Sequence, residues 1–287
     1  MKRILAATDF STRAHRAIRQ AAVLARQSGA ELTLLHIVDE EPEALVALEV
    51  AESRKILDEQ IASIPELRDV QCHPSVAIGA PHDAIMKVAT AVNANLIVMG
   101  CHRKQLLRDV FVGTTIERVI RTGTWPVLMV NSEAAQAYGS VLIALDLSDT
   151  STNALSCASA LGILDDARVT VVHAFDAIAK SKLAFADVTD ERISAYVETE
   201  QQRATSELQG YLTSRSFDAA RCSYYVAEGD PVPVISKAVD AIGPELLVVG
   251  THGRSGVAKM LLGSVAEQLL RTMELDILAV PRRSMAS

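Results

Sequence analysis

Three glycines and a serine lie near the carboxyl end of the chain, within residues 246–272. Gly250 and Gly253 follow a short apolar run, and Gly263 and Ser264 precede a helical pattern of apolar residues. Glycines let backbone N–H groups approach an anion without a β-carbon in the way, and the first turn of a helix offers unpaired N–H groups. The order strand, glycine loop, helix therefore favours phosphate binding. The alternative is that these glycines only turn the chain and cap the helix.

A fainter copy of this pattern occupies residues 96–122, and the two copies are separated by a constant 150 positions. The residues that recur are Gly100, His102, Gly113, Glu117, Arg121 and Thr122, which correspond to Gly250, His252, Gly263, Glu267, Arg271 and Thr272. Nearer the start of each half the separation is 137 positions, as it is for Asp9 and Asp146. The chain is therefore an internal duplication, with extra residues inserted in the second copy within 175–210.

Length and composition agree with this division. The 287 residues suit two domains, which we place at 1–132 and 141–287, with a linker at 133–140. A net charge of −7 argues against nucleic acid or an acidic membrane surface as the main partner. No apolar run is long enough to cross a bilayer, and the chain starts with a strand pattern rather than a signal peptide. A cytoplasmic location is expected.

Short apolar and alternating runs predict five strands in each half. They are 3–7, 31–38, 70–76, 96–99 and 127–130 in the first half, and 141–145, 169–174, 224–226, 246–249 and 277–280 in the second. Helices are predicted between them, including a long amphipathic helix around 193–204 within the insertion. Strands that alternate with helices at this spacing predict an α/β fold of two tandem open parallel five-stranded sheets, with helices on both faces.

The ends of these strands suggest where a ligand binds. In open parallel sheets, ligands bind beyond the carboxyl ends of the strands, where the strand order reverses. Asp9 and Asp146 follow the first strand of each half, and the glycine loops follow the fourth. An aspartate there could accept a hydrogen bond from a ribose hydroxyl or a purine amine while the loop holds phosphate. The alternative is that each aspartate caps the helix that follows it.

Cysteines and histidines point to structural roles. The chain has four cysteines, Cys72, Cys101, Cys157 and Cys222. They show no C-x-x-C spacing and no correspondence between the halves, so we expect free, mostly buried thiols. His36 and His173 recur at the end of the second strand and are expected to be packed and hydrogen-bonded, whereas His102 and His252 recur in the glycine loops, near the expected phosphate. No metal cluster is predicted, and no Ser–His–Asp or Cys–His set recurs, so no catalytic nucleophile is indicated.

On these residues, the sequence resembles the universal stress protein family in tandem form, over nearly the whole chain. The strongest element is the family's nucleotide pattern, G-x-x-G followed by nine residues and G-[ST], which Gly250, Gly253, Gly263 and Ser264 match in full. The resemblance implies an adenine nucleotide alpha hydrolase-like, Rossmann-like fold that binds ATP, AMP or ADP, with Mg²⁺ accompanying the nucleotide. The pocket residues expected in the second half are Asp146, Ala174, Val249, Gly250, His252, Gly253, Gly263, Ser264 and Val265.

The first half departs from the family's pattern at one position, where Arg103 replaces the second glycine. If that position needs a positive φ, a residue other than glycine costs about 1 to 2 kcal/mol. Either the first pocket is empty, or the guanidinium replaces a backbone N–H as a charged clamp. The residues of this weaker site would be Asp9, Ile37, Met99, Gly100, Arg103, Gly113 and Thr114.

The resemblance favours an adenine-nucleotide-binding stress or signalling protein with a protein partner that the sequence does not name. The alternatives are a ligand-free interaction module of the same fold and a slow nucleotide hydrolase. An enzyme of the related hydrolase group needs a glycine-rich loop after its first strand, whereas this chain has A-T-D-F-S there. Resemblance to family dimers implies that the last strands of the two halves pair, so that one chain forms a pseudo-dimer. Whether two chains form a homodimer stays open.

Overall fold

The computed structural model describes residues 1–40, 42–101, 114–133, 135–180, 188–215, 217–252 and 262–282. The first half contains β1 (Arg3–Thr8), α1 (Thr12–Ser28), β2 (Glu31–Val38), α2 (Glu43–Ser63), β3 (Cys72–Ile78), α3 (Pro81–Ala91), β4 (Leu96–Gly100), α4 (Thr115–Thr122) and β5 (Val127–Val130). The second half contains β6 (Ser140–Ala144), α5 (Asp149–Ala160), β7 (Arg168–Phe175), α6 (Asp190–Ser214), β8 (Cys222–Glu228), α7 (Pro231–Ile242), β9 (Leu246–Gly250), α8 (Ser264–Thr272) and β10 (Asp276–Val280). The predicted alternation of strands and helices is confirmed.

The ten strands form one sheet in the order β3-β2-β1-β4-β5-β10-β9-β6-β7-β8. Strands within each half are parallel, which confirms the two predicted five-stranded units. The units join because β5 pairs with β10 in antiparallel register, with Leu128 opposite Leu278. The expected pairing of the last strands is therefore confirmed. Arg121 of α4 adds an ion pair across the same boundary, 3.9 Å from Glu267 of α8.

Apolar clusters cover both faces of the sheet and run through both halves. One cluster contains Ile18 of α1 and Leu155 of α5, together with buried residues of α2 and α6. The other contains Ile85 of α3 and Leu269 of α8, together with buried residues of α4 and α7. The central strands are buried on both sides, which explains why they appear as continuous apolar runs rather than as alternating ones.

Part of the insertion lengthens one helix of the second half, and most of it precedes that helix. Helix α6 has 25 residues and packs on β7 and β8, as the 21-residue α2 packs on β2 and β3. Its carboxyl end contacts the start of α5, because the Tyr211 hydroxyl lies 2.7 Å from Thr152 Oγ1. Arg215 also donates to Asp149, at 2.7 Å.

Among the residues described, no helix is both long and apolar enough to cross a membrane.

Two cysteines correct the sequence analysis. Cys72 is the first residue of β3 and Cys222 is the first residue of β8, so they occupy equivalent positions in the two halves. The expectation that no cysteines correspond is wrong, because the insertion precedes Cys222 and the separation of 150 applies there. None of the four cysteines forms a disulfide within the described residues, and Cys72 and Cys222 are only half-buried. Burial raises the pKa of Cys72 to about 12 and also raises the pKa of Cys222, so both stay protonated at neutral pH.

A buried carboxylate holds the segment between β5 and β6. Asp276, the first residue of β10, is fully buried and accepts from the N–H groups of Asn131 and Ser132, at 2.8 and 2.9 Å. Its second oxygen accepts from the Tyr138 hydroxyl, at 2.7 Å. Burial, with the neighbouring Asp276 charge, raises the pKa of Tyr138 well above its usual value. The sequence analysis treated this segment only as a polar linker and missed the buried Asp276 site.

Candidate functional site

Each half contains a pocket of about 330 Å³ at the carboxyl ends of its parallel strands. The first lies where β1 separates β2 from β4, and the second lies where β6 separates β7 from β9. These are the positions at which the strand order reverses, where open α/β sheets bind ligands. The volume is within the range of small-molecule sites, roughly 300 to 1,000 Å³.

The second pocket brings most of the residues expected there together. Its lining includes Asp146, Ala174, Val249, Gly250, His252, Gly263, Ser264 and Val265. Gly253 lies outside the described residues. The first pocket is lined by Asp9, Ile37, Met99, Gly100 and Thr114, among others, while Arg103 and Gly113 also lie outside the described residues.

A tight turn positions the aspartate of each pocket. Phe10 and Leu147 follow the aspartates with positive φ angles of 61° and 60°. Asp9 accepts from the Ser11 N–H at 3.0 Å. Asp146 is bound in the same way by the Ser148 N–H at 3.0 Å. Both carboxylates are therefore oriented by the backbone two residues ahead.

Serine, not aspartate, is the N-cap of each following helix. The hydroxyl oxygens of Ser11 and Ser148 accept from the backbone N–H three residues ahead, each at 3.2 Å. Helix capping therefore does not account for Asp9 or Asp146. Burial pushes the pKa of Asp9 upward, but hydrogen bonds from the Ser11 hydroxyl and N–H outweigh it, and the net pKa is lowered. Asp9 is an ionised acceptor at neutral pH, suited to hydroxyl or amine donors.

The first glycine of each pattern has a packing role. A β-carbon on Gly100 would lie 2.5 Å from the backbone oxygen of Arg13, which is a severe clash. A β-carbon on Gly250 would lie 3.2 Å from the backbone oxygen of Thr150. These glycines let β4 and β9 approach the first turns of α1 and α5. The sequence analysis assigned the pattern's glycines to phosphate approach and missed this contact.

The start of α8 is open toward the second pocket. Gly263 is its N-cap, with an extended backbone at φ −64°, and no described side chain caps the helix. The Gly263 N–H donates to the Thr251 carbonyl oxygen at 2.8 Å, so it is not available to a ligand. The first turn begins at Ser264 and Val265, whose N–H groups have no partner within the helix. These are the amides that could receive an anion.

The equivalent helix of the first half starts one residue later. Thr114, which corresponds to Ser264, is the N-cap of α4 rather than its first residue. Its hydroxyl oxygen accepts from the Glu117 N–H at 3.2 Å. A side chain therefore accepts from the third N–H group of α4, whereas no described side chain accepts from the third N–H group of α8.

His252 lies at the edge of the second pocket and is predominantly neutral. Its Nδ1 lies 2.9 Å from the Thr251 hydroxyl. Burial lowers the pKa of His252, and the nearby charge of Arg282 lowers it further. At neutral pH the imidazole is a hydrogen-bonding group rather than a cation.

The strand-end histidines have the predicted structural role. His36 Nδ1 lies 2.9 Å from the Thr8 carbonyl oxygen, and His173 Nδ1 lies 2.7 Å from that of Leu145. Each therefore ties the second strand of its half to the end of the first. In the described part of the chain, no group of three or more His, Cys, Asp or Glu side chains is placed to hold a metal ion.

Two pocket residues were missed by the sequence analysis. Arg13 lines the first pocket and Ser151 lines the second, each from the first turn of the helix after the first strand. The Ser151 hydroxyl oxygen accepts from the Asp146 N–H at 3.3 Å. The separation of 137 aligns Arg13 with Thr150 and Ala14 with Ser151. This difference between the two repeats is the sequence signal that could have identified Arg13 and Ser151 as pocket residues.

Comparisons with known proteins agree with the duplication. The universal stress protein family model matches the chain twice, over residues 1–131 and 137–281. A universal stress protein of Methanocaldococcus jannaschii is 29% identical over 154 residues, which are 45% of this chain and 94% of that protein. One of Mycobacterium bovis is 22% identical over 270 residues, covering 88% of each chain.

A solved structure has the same fold over the whole chain. The crystal structure of a universal stress protein from Archaeoglobus fulgidus matches with a TM-score of 0.73 at 16% identity, over 98% of both chains. Because the family model covers nearly every residue in two consecutive matches, the chain belongs to the universal stress protein family and carries the family's unit twice.

Proposed function

We propose that the second pocket binds an adenine nucleotide, ATP in the first instance, and that nucleotide occupancy controls a stress-response or signalling role. The observation that carries this proposal is the uncapped first turn of α8, which faces the same pocket as the carboxylate of Asp146. A helix start favours anions because its N–H groups are unpaired and its dipole is positive there. A carboxylate that lines the same pocket suits the hydroxyls of a ribose.

The remaining walls suit the rest of a nucleotide. Val172, Val249 and Ile235 supply apolar surface for a purine ring. Ala174, at the end of β7, supplies backbone groups near the pocket. The phosphates would lie against Ser264 and Val265. Mg²⁺ would enter with the triphosphate, since no carboxylate cluster among the described residues is placed to hold it.

Beyond the ligand itself, the proposal concerns a protein partner, a cellular location and catalysis. The protein partner that would read the nucleotide state is not named by any residue. A cytoplasmic location stays a prediction. The pockets contain no nucleophile–base pair recognisable among their described residues, so the proposal includes no catalytic step.

The test is mass spectrometry of ligand released from the purified protein, followed by calorimetry with ATP. Ser264→Asp places a negative charge at the first position of α8, where it favours the helix but repels phosphate. We expect at least a tenfold loss of ATP affinity, which is about 1.4 kcal/mol, with an unchanged or raised melting temperature. Thr115→Asp, the same change at the start of α4, is the matched control and should leave ATP affinity unchanged.

An S264D protein that binds ATP as the wild type does would contradict the proposal. A wild-type protein that releases no nucleotide and shows no thermal shift with ATP would support the ligand-free interaction module instead.

A further inference from the structure

We propose that the first part of helix α2, residues 43–56, is a docking surface for a helix of another protein that is apolar on one face and basic along its flanks. Four of the five large apolar side chains that are exposed in the described chain lie at this corner of the molecule. They are Leu45, Leu48 and Ile56 on α2 and Ile78 at the end of β3, each 39% to 56% exposed. The proposal is independent of nucleotide binding in either pocket.

Helix α2 has one face toward the sheet and an apolar stripe that faces solvent. Ser53 and Leu57 are its buried residues, and none of its first ten residues is buried. Since each residue turns the helix by about 100°, Leu45, Leu48 and Ile56 lie within about 80° of one another, on a different side from Ser53 and Leu57. They extend over about 17 Å of helix. An apolar stripe of this kind is the pattern by which one helix binds another.

Helix α6 provides a comparison within the same chain. It packs on β7 and β8 as α2 packs on β2 and β3, yet none of its described residues is an exposed large apolar side chain. The exposed stripe is therefore a property of α2 and not of every helix at this position in the fold.

A cavity of about 760 Å³ lies at the amino end of the apolar stripe. Its lining residues are Glu40, Pro42, Glu43, Val46 and Ile78. Val46 and Ile78 supply apolar surface for one large side chain of the partner, since interface anchors bind in such pockets. The neighbouring edge of the sheet is less suited to binding, because β3 contains Pro74, which has no N–H to donate to an added strand. These features favour a helix over a strand as the partner's element.

The charge of this surface selects the chemistry of the partner. Residues 39–53 contain six acidic residues and no Lys, Arg or His. Three of the acidic residues lie on α2, and they are Glu43, Glu49 and Glu52. All three are exposed, and none has a hydrogen bond or ion pair within the part of the chain that the structure describes. Unpaired carboxylates beside an apolar stripe attract Lys and Arg side chains on the flanks of an incoming helix.

The same charges disfavour two other occupants of the surface. If two copies of this chain packed α2 on α2, they would bring two sets of unpaired carboxylates together. An acidic lipid surface would be repelled for the same reason. A separate protein with a basic amphipathic helix is therefore the occupant that the charges favour.

The test uses the full chain and a fluorescein-labelled synthetic peptide of leucine and lysine, about 18 residues long, with its leucines at helical spacing. One control peptide has glutamate in place of lysine, and a second has the same composition with leucine at every other position. Fluorescence anisotropy measures binding, and circular dichroism measures helix formation in the bound peptide. We expect the leucine–lysine helix to bind roughly tenfold or more tightly than either control.

Protein variants assign the binding to α2. L45Q/L48Q removes two exposed leucines but keeps good helix formers, so it should weaken binding of the leucine–lysine peptide by roughly tenfold or more. E49Q/E52Q removes two carboxylates and should weaken binding about threefold, with a smaller loss of affinity as salt is added. I178Q removes the fifth exposed apolar side chain, which lies in the other half, and should leave binding unchanged. Circular dichroism melts establish that each variant is folded.

Several results would overturn the inference. They include L45Q/L48Q or E49Q/E52Q protein that binds the leucine–lysine peptide as the wild type does, and equal binding of the glutamate peptide. A wild-type dimer in sedimentation velocity that L45Q/L48Q abolishes would overturn it by assigning the surface to a second copy of this chain. Binding to phosphatidylcholine–phosphatidylserine vesicles that L45Q/L48Q abolishes would overturn it by assigning the surface to a membrane. None of these measurements contains a nucleotide, so their outcome is independent of the ATP proposal.

Discussion

Helix α4 begins behind a threonine cap, whereas helix α8 begins behind a glycine. The strands around them carry the same aspartate, histidine and glycine at matching positions, and the pockets have equal volumes. Among the described residues, what differs is that no side chain caps α8 beside the second pocket, whereas Thr114 caps α4 and Arg13 lines the first pocket. A duplicated fold can thus keep the volume of a pocket while changing the groups that line it.

The largest expected effect concerns the first glycine of each glycine pattern, Gly100 and Gly250. Gly100→Ala should lower the free energy of unfolding by about 3 kcal/mol, because its β-carbon would meet the Arg13 backbone at 2.5 Å. Gly250→Ala should cost only about 1 kcal/mol, because the nearest atom, at 3.1 Å, is a Thr150 side-chain methyl. Urea unfolding of both variants measures the difference. If both substitutions lower the free energy of unfolding equally, the two halves pack this contact alike.

Changing the helix caps should alter stability in both halves but ATP affinity only in the second. Gly263→Ser adds a hydroxyl that can accept from the third amide of α8, so stability should rise by a few tenths of a kcal/mol while ATP affinity falls. Thr114→Ala removes the cap of α4 and should cost about 1 kcal/mol without changing ATP affinity. Thermal melts and calorimetry test both. A G263S protein with unchanged ATP affinity would show that this amide is not used.

Helix α6 supports only the second pocket. Tyr211→Phe removes the 2.7 Å hydrogen bond to Thr152, on the first turn of α5, and should cost about 1 kcal/mol of stability. Because that turn carries Ser148 and follows Asp146, ATP affinity should fall about two- to threefold. Tyr196→Phe, on the same helix but away from α5, is the control. If both variants bind ATP equally well, α6 does not position the pocket.

The smallest effect is on pH dependence. The folded-state pKa of Asp9 lies below its usual value, so the unfolded chain binds more protons as pH falls below about 5. The contribution of Asp9 is fully present above its unfolded pKa and is lost as pH falls through the lower folded pKa. Because Asp9 is partly exposed, the effect is small. Asp9→Asn should flatten this part of the stability profile between pH 5 and 2, measured by urea unfolding, roughly the window of carboxyl titration. An unchanged profile would contradict the assigned hydrogen bonds.

Much of the fold could be predicted because the strands are short, apolar and regularly spaced. All ten strand positions were predicted to within two residues at each end. The largest shift was in β3, where Val70 belongs to a turn after Asp69, whose φ is 66°, rather than to the strand. An alternating pattern cannot distinguish such a turn residue from the first residue of a strand.

The site was less predictable because its chemistry depends on neighbours distant in sequence. The sequence indicated Asp9, Asp146 and the glycine pattern, since the repeat marks them. It did not indicate that the Gly263 N–H is used by Thr251, or that Arg13 lines a pocket. Both depend on which way a backbone group or side chain points once helix and strand are packed.

Periodicity and duplication by themselves determined the two parallel units, their order along the chain and the strand ends at which the pockets lie. These features follow from local propensity and apolar spacing, which each segment carries independently. The pairing of β5 with β10 was expected only from the resemblance to family dimers. Only the tertiary structure decided that Asp276 is buried against the connecting segment. The same holds for the different caps of α4 and α8. Each of these depends on the direction of hydrogen bonds between segments, which no single segment of sequence contains.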